Sequence, residues 1–145
     1  MSKKVTQFLL IFIFGLFSNF LYAQRPYLTI NQNSYNNLIE GNSVSLQLNL
    51  SRTTSAPVVV NITTISQTAG TSDFIPVNTI ITIPAGQSAS NNFSIATTND
   101  AIIEPTETFI VKALVLSGNT SNIDAKEDVY ITDNDTPPTV NAYVQ

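Results

Sequence analysis

Apolar and polar residues alternate along much of the chain, and this two-residue period constrains the fold more than any other feature. Val44, Leu46, Leu48 and Leu50 are apolar, and a polar residue separates each from the next. Successive side chains of a β-strand point to opposite faces, so this pattern is typical of a strand with one buried face. No segment after residue 23 shows a sustained 3.6-residue apolar period. The pattern therefore predicts an all-β fold.

The same alternation recurs in seven short segments that are separated by turn-forming residues. Glu40-Gly41, Pro84-Ala85-Gly86-Gln87 and Ser117-Gly118-Asn119 are examples of these turns. Seven strands at this spacing predict an antiparallel, immunoglobulin-like β-sandwich. The strand at 108–116 has apolar residues on both faces, so we expect it to be covered on both. The predicted strands are 27–30, 43–50, 57–64, 78–83, 90–97, 108–116 and 127–132.

The first 23 residues have the layout of a secretory signal peptide. Lys3 and Lys4 form a basic start, an apolar run occupies 8–17, and Ala23 offers a cleavage point. The alternative is a retained transmembrane anchor. The segment 8–22 provides only 15 residues for it, interrupted by polar ones, whereas a spanning helix needs about 20. We therefore expect a helical signal peptide at 1–23.

The rest of the chain is long enough for one domain, although it lacks two reactive residue types. Removing 23 of the 145 residues leaves 122, which suffices for a single hydrophobic core. We expect a β-sandwich at 24–136 and a linker or tail at 137–145, in an exported protein that is extracellular or on the cell envelope surface.

Cysteine and histidine are absent, which excludes disulfides, zinc sites built from these residues, and Cys- or His-based catalysis.

Charged residues are few, and most of them are acidic. From residue 24 onward, four basic residues stand against ten acidic ones, a net charge of 4 − 10 = −6. A domain with this net charge lacks the basic surface that binding to nucleic acid or anionic lipid requires. We therefore expect no nucleic-acid partner, and membrane association only through the leader if it is uncleaved.

Most of the acidic residues fall in loops that the strand order places at one end of the sandwich. If successive strands run in alternate directions, the loops that contain these acids all lie at one pole. Like charges at contact repel by about 1 kcal/mol per pair in water. A hard divalent cation, with calcium the first candidate, would offset that repulsion. The seven residues are Glu40, Asp73, Asp100, Glu104, Glu107, Asp133 and Asp135.

The motifs that carry these acids resemble the Calx-β domain family over about residues 38–136. Members of this family are immunoglobulin-like β-sandwiches, and the calcium-binding members hold ions with carboxylates in the loops of one pole. The resemblance implies that the seven acidic residues are calcium ligands. It rests on five fragments in order: Ile39-Glu40-Gly41, Gly70-Thr71-Ser72-Asp73-Phe74, ITIPAGQ at 81–87, NDAIIEPTETF at 99–109 and ITDND at 131–135.

Two positions depart from the acidic pattern of the family. Asn99 and Asn134 keep a side-chain oxygen and lose a charge, so the resemblance implies that they are weaker metal ligands. Calcium affinity in oxygen-ligand sites follows the number of charged ligands. We therefore expect weak structural calcium binding rather than tight calcium sensing.

The sequence is compatible with two functions. One is a calcium-binding module, secreted or on the cell surface, with a structural, adhesive or cell-communication role. The alternative is a metal-free extracellular module that binds proteins or glycans, either free-standing or as a truncated piece of a larger multi-module surface protein. An enzyme that uses a carboxylate pair, as in glycosidases, is disfavoured because a small sandwich pole offers no cleft for a substrate. We expect no enzymatic activity.

Overall fold

The computed structural model describes residues 24–32 and 38–137, which contain strands and no helix. This confirms the predicted all-β class for that part of the chain. The signal peptide expected at 1–23 lies outside the described residues, as does all of the expected tail except Pro137. None of the described segments is a helix long and apolar enough to span a membrane.

Eight strands form two sheets that enclose one hydrophobic core. One sheet has the order β1-β3-β6, and the other has the order β2-β8-β7-β4-β5. The core contains residues from both sheets, as expected of a sandwich. In chain order the strands are β1 (Leu28–Gln32), β2 (Leu38–Ile39), β3 (Ser43–Leu50), β4 (Val58–Ser66), β5 (Asn78–Ile83), β6 (Phe93–Ala96), β7 (Glu107–Ser117) and β8 (Asp124–Thr132).

The described part thus contains eight strands instead of the seven expected, and the additional strand β2 is not antiparallel. It pairs in parallel with the end of β8, with Leu38 opposite Ile131 and Ile39 opposite Thr132. Two residues are too few to show an alternating pattern. The Glu40 N–H continues the pairing by donating to the Thr132 carbonyl (3.1 Å). β2 therefore fixes the backbone of the first acidic residue beside the end of β8.

The antiparallel pairs confirm the alternation of strand direction. These pairs are β1–β3, β3–β6, β4–β5, β4–β7 and β7–β8. The loop before β3 and the loops after β4, β6 and β8 consequently meet at one end of the sandwich. We call this end the acidic pole; it comprises residues 40–42, 67–77, 97–106 and 133–135, together with Glu107 at the start of β7.

The core is built from the apolar halves of the alternating strands. Every second residue of β3, from Val44 to Leu50, is buried. Phe74 and Phe109 are the largest fully buried side chains, and their rings stack with centroids 4.3 Å apart. Because Phe74 directly follows Asp73, this stacking anchors the loop that carries Asp73 to the core.

β6 is shorter than the predicted strand at 90–97, because a side chain replaces part of its ladder. Ser90 is buried, and its N–H donates to the Leu48 carbonyl (3.0 Å). Its Oγ accepts from the Leu48 N–H (3.1 Å) and donates to the Asn91 carbonyl (2.7 Å). The hydroxyl thus occupies the place that a strand carbonyl would take, and regular pairing begins only at Phe93.

The expectation that both faces of the strand at 108–116 are covered was wrong for the described part of the chain. The inward residues Phe109, Val111 and Ala113 of β7 are fully buried. Leu114 and Leu116, by contrast, are 37% and 53% exposed. A two-layer sandwich buries only the inner face of each sheet, and apolar residues on the outer face stay in contact with solvent.

Candidate metal centre

The acidic pole brings together all seven carboxylates that the sequence singled out. In each of two groups, one carboxylate oxygen from every member lies within 4.8 Å of the others. Asp100 lines the same cleft as members of both groups. We call the group of Glu40, Asp133 and Asp135 the first centre, and the group of Asp73, Glu104 and Glu107 the second centre.

The ends of β2 and β8 position the first centre. Glu40 directly follows β2, and Asp133 and Asp135 lie just after β8. Glu40 is only 7% exposed. Its Oε1 and the Oδ2 of Asp135 are buried and have no hydrogen-bond partner. A buried charged oxygen without a partner is strongly unfavourable, so each of these two oxygens favours a proton or a bound cation.

Asp133 links the two centres through backbone hydrogen bonds. Its Oδ1 accepts from the Asp135 N–H (2.8 Å), and its Oδ2 accepts from the Glu104 N–H (3.0 Å). These bonds hold the loop before β7 against the end of β8. Each carboxylate oxygen has more than one lone-pair site, so Asp133 is still able to bind a cation.

The second centre is organised around Asp73. The Oδ2 of Asp73 accepts from the Gly70 N–H (2.5 Å), and the Oδ1 accepts from the Ser72 hydroxyl (2.7 Å). Burial raises the pKa of Asp73, but these bonds and the pairing with Glu107 outweigh it, so the pKa lies below its ordinary 3.8. Burial, followed by the hydrogen bond and charge of Asp73, raises the pKa of Glu107. Asp73 is therefore the ionised member of this pair, and Glu107 is the member that takes up a proton first.

Burial and mutual repulsion affect the remaining carboxyl groups of the pole. Burial is the largest cause of the raised pKa of Glu40, Glu104 and Asp135, and neighbouring carboxylates raise each pKa further. No lysine or arginine lines the cleft between them. Among residues 24–32 and 38–137, Lys112 forms an ion pair with Asp124 (3.9 Å). This pair lies outside the pole. No basic side chain of the described protein offsets the repulsion.

The cleft among the carboxylates is small. Its volume is about 10 Å³, close to the minimum that a single buried water requires. An ion fits such a space, whereas an organic substrate does not. Carboxylates of both centres surround the cleft, and Thr98, Pro105 and Ile131 complete its wall.

Asn99 and Asn134 bond to each other at the edge of the pole. The Asn134 Nδ2 donates to the Asn99 Oδ1 (3.0 Å) and to the Glu40 carbonyl (3.3 Å). Two carboxylates at these positions would repel, whereas the two amides attract. The Asn99 side chain also lies over Gly41, whose φ is +76°. Ligation by either asparagine stays a prediction, and the Asn99 oxygen already accepts one hydrogen bond.

Thr98 borders the cleft, although the sequence did not single it out. Its N–H donates to the Asp73 carbonyl (2.8 Å), and its carbonyl accepts from the Gly41 N–H (3.3 Å). The residue joins the loops of both centres through its backbone. The only sequence signal for this role was its position directly before Asn99 and Asp100.

The other three acidic residues of the chain lie outside the cluster. Asp124, Glu127 and Asp128 lie on β8, before the strand reaches the pole. The Gln32 Nε2 donates to the Glu127 Oε1 (3.2 Å). The acidic residues of the domain therefore form two separate sets.

Comparison with solved structures identifies the fold. The crystal structure of the apo-form Calx CBD1 domain matches with a TM-score of 0.58 and 16% sequence identity, over 75% of this chain and 99% of that one. The chain has a Calx-β-like fold. The resemblance in sequence motifs is thus confirmed at the level of the fold. No protein-family model matches the sequence, and no curated protein sequence matches it.

Two larger structures contain the same Calx-β-like fold. The structure of CBD12 from CALX1.2 matches with a TM-score of 0.58 and 17% identity over 74% of this chain. The structure of the calcium binding domain CBD12 of CALX1.1 matches with a TM-score of 0.59 and 19% sequence identity over 77% of this chain. This chain spans 46% of the length of each. At such identities the likeness concerns the fold alone.

Proposed function

We propose that the acidic pole binds calcium and that the protein is a calcium-binding β-sandwich module. The observation that carries this proposal is the pair of buried, unpartnered carboxylate oxygens on Glu40 and Asp135. They lie among acidic residues whose repulsion no basic side chain of the described protein offsets. A cation bound there would supply the missing partner.

The chemistry of the donors favours calcium over other cations. Calcium takes six to eight oxygen ligands at about 2.3–2.6 Å in flexible geometry, whereas magnesium demands near-ideal octahedral geometry and keeps several waters. The chain has no cysteine or histidine for softer metals. The carboxylates come from several loops, and Calx domains of this fold include one described as a calcium binding domain. These points support calcium.

We infer one ion at each centre, two in all. Each centre contributes three carboxylates whose oxygens are near one another, and carbonyls and water would complete the shell of each ion. Asp133 and Asp100 adjoin both centres. An ion at one centre would order loop segments that also carry ligands of the other, so we expect the two ions to bind with positive cooperativity.

The role that we propose for the bound calcium is structural. Calcium would tie the loop that carries Asp73, the loop before β7 and the segment after β8 to one another. The small cleft supports ion binding rather than catalysis. On the basis of the predicted leader, we place the protein outside the cell or on the cell envelope, with a structural, adhesive or cell-communication role. Dissociation constants of about 10⁻⁴–10⁻³ M are typical of extracellular modules.

Thermal unfolding of the full chain tests the proposal. Calcium at about 100 times its dissociation constant should stabilise the fold by about 2.7 kcal/mol, which raises the melting temperature by several degrees for a domain of this size. The double variant Glu107→Ala, Asp133→Ala should lose most of this gain. The matched double variant Asp124→Ala, Asp128→Ala, which removes two acids outside the pole, should keep it.

Two outcomes would overturn the proposal. One is no shift at about 10 mM calcium, which is tenfold above the weakest constant expected. The other is an equal shift in both double variants, because this would show that calcium acts on overall charge. Either outcome would favour the alternative, a metal-free extracellular module that binds proteins or glycans.

A further inference from the structure

A larger cavity lies at the pole opposite the acidic one, and its charge is also opposite. Its volume is about 190 Å³, and no acidic residue lines it. Two arginines and several neutral polar side chains form much of its wall. They include Arg25, Arg52, Thr53, Ser55 and Asn119.

The strand directions separate this cavity from the candidate metal centre. β3 begins just after Glu40 and ends just before Arg52, while β7 begins at Glu107 and ends just before Asn119. Strands of 8 and 11 residues, at about 3.3 Å per residue, place the two poles about 25–35 Å apart. A ligand in the cavity therefore does not touch the acidic pole.

The two arginines are half of the basic residues that follow residue 23. They are far apart in sequence, yet the fold brings both to one cavity. Neither guanidinium forms an ion pair or hydrogen bond with the rest of 24–32 and 38–137, although the domain is rich in carboxylates. A guanidinium presents a planar fork of N–H donors that suits carboxylate, phosphate and sulfate groups. The pair therefore provides unused donors and positive charge in one concave place.

Hydrogen bonds hold the walls of the cavity in place. The Thr54 carbonyl accepts from the Gly86 N–H (2.8 Å), and the Thr54 hydroxyl donates to the Ala56 carbonyl (2.7 Å). The Pro26 carbonyl accepts from the Ser121 N–H (2.9 Å). The segments that carry the two arginines are thus ordered before any ligand arrives, which lowers the entropic cost of binding.

We propose that this cavity binds an anionic saccharide, with its oxyanion between Arg25 and Arg52. The polar groups of Thr53, Ser55 and Asn119 would form hydrogen bonds with sugar hydroxyls. The oxyanion is a carboxylate in a uronic acid or a sulfate in a sulfated sugar, and both present the same chemistry to the arginines. This site does not depend on calcium.

Binding to the full chain in EGTA tests this proposal independently of the acidic pole. The probes are glucuronate, glucose 6-sulfate, neutral glucose and inorganic sulfate, and the measurement is the change in backbone amide NMR shifts of residues 52–56. We expect saturable shifts with glucuronate or glucose 6-sulfate, and the tighter of the two identifies the source of the oxyanion. Inorganic sulfate should bind more weakly, and glucose should leave the shifts unchanged.

Single charge removals provide the controls. Arg52→Gln and Arg25→Gln should each weaken binding about tenfold or more, as expected for a lost charge-assisted hydrogen bond. Lys126→Gln removes the same charge from an exposed position on β8 and should leave affinity unchanged. The absence of saturable binding, equal losses in all three variants, or equal affinity for inorganic sulfate and the sugar acids would overturn the proposal.

Discussion

At the level of single residues, Glu40 and Asp135 show the conflict between burial and charge most clearly. Burial raises the pKa of each, neighbouring carboxylates raise it further, and one oxygen of each has no donor. We predict that Asp135→Asn leaves the metal-free protein at least as stable as the wild type and abolishes most of the calcium-induced rise in melting temperature. Asp128→Asn, the same change at an exposed position of β8, should preserve that rise. A normal calcium response in Asp135→Asn would contradict this assignment.

Substitutions of Gly41 and Gly86 separate the cost of backbone strain from the cost of a steric contact with Asn99 at the acidic pole. Both have positive φ, at +76° and +78°. A Cβ at Gly41 would lie 2.9 Å from the Asn99 Cβ, whereas nothing lies within 4 Å of one at Gly86. We predict a loss of about 1 kcal/mol for Gly86→Ala from the backbone alone. Gly41→Ala should lose about 2–4 kcal/mol, since overpacking adds to that cost. Urea unfolding measures both, and equal losses would show that the Asn99 contact is unimportant.

The residue types predicted which residues form the acidic cluster, but not how deeply each is buried or which hydrogen-bond partners it has. Clustering followed from the loops in which the acids lie. The burial of Glu40 depends on β2 and on the end of β8, and the partners of Asp133 are backbone N–H groups from two different segments. The bond between Asn99 and Asn134 joins residues 35 positions apart. Such partners are set by tertiary structure and leave no local pattern.

At the level of secondary-structure elements, Ser90 is the residue on which the junction of β3 and β6 depends. Its buried hydroxyl accepts from the Leu48 N–H, and Ser90→Ala would leave that donor without a partner. We predict a loss of about 1–3 kcal/mol in the free energy of unfolding. Ser94→Ala, on the exposed side of β6, should change it by less than about 0.5 kcal/mol. Equal effects would show that the serine hydroxyl does not replace a strand carbonyl.

The strands differ in how well the sequence predicted them, and the differences have physical causes. β3 and β5 have the predicted bounds of 43–50 and 78–83, since strong alternation in β3 and flanking turns around β5 mark them. β2 was missed because it has two residues, and β6 was predicted too long because Ser90 bonds through its side chain. The pairing of β2 with β8 also joins segments more than 90 residues apart, which local patterns do not encode.

At the level of the whole molecule, the acidic pole should make stability depend on pH in opposite ways with and without calcium. The raised pKa values of Glu40, Glu104, Glu107 and Asp135 mean that these groups stabilise the metal-free fold when protonated. That contribution is complete below their ordinary values of 4.5 and 3.8, and is lost as pH rises through the raised values. The lowered pKa of Asp73 acts oppositely, but only as pH falls below 3.8.

We therefore predict that the metal-free protein becomes more stable as pH falls from about 7 to about 4.5, the ordinary pKa of the glutamates. The calcium-loaded protein should become less stable over the same interval, because protons compete with calcium for the carboxylates. Urea unfolding at both pH values, in EGTA and in excess calcium, measures both trends. Parallel trends in the two conditions would contradict the prediction.

Anomalous X-ray diffraction from crystals grown in calcium tests the central claim most directly, because it locates the ions themselves. We predict two anomalous peaks at the acidic pole, one among Glu40, Asp133 and Asp135 and one among Asp73, Glu104 and Glu107. Oxygen ligands should surround each at about 2.3–2.6 Å. An acidic pole without an anomalous peak at saturating calcium, or peaks only at other positions on the molecule, would contradict the claim.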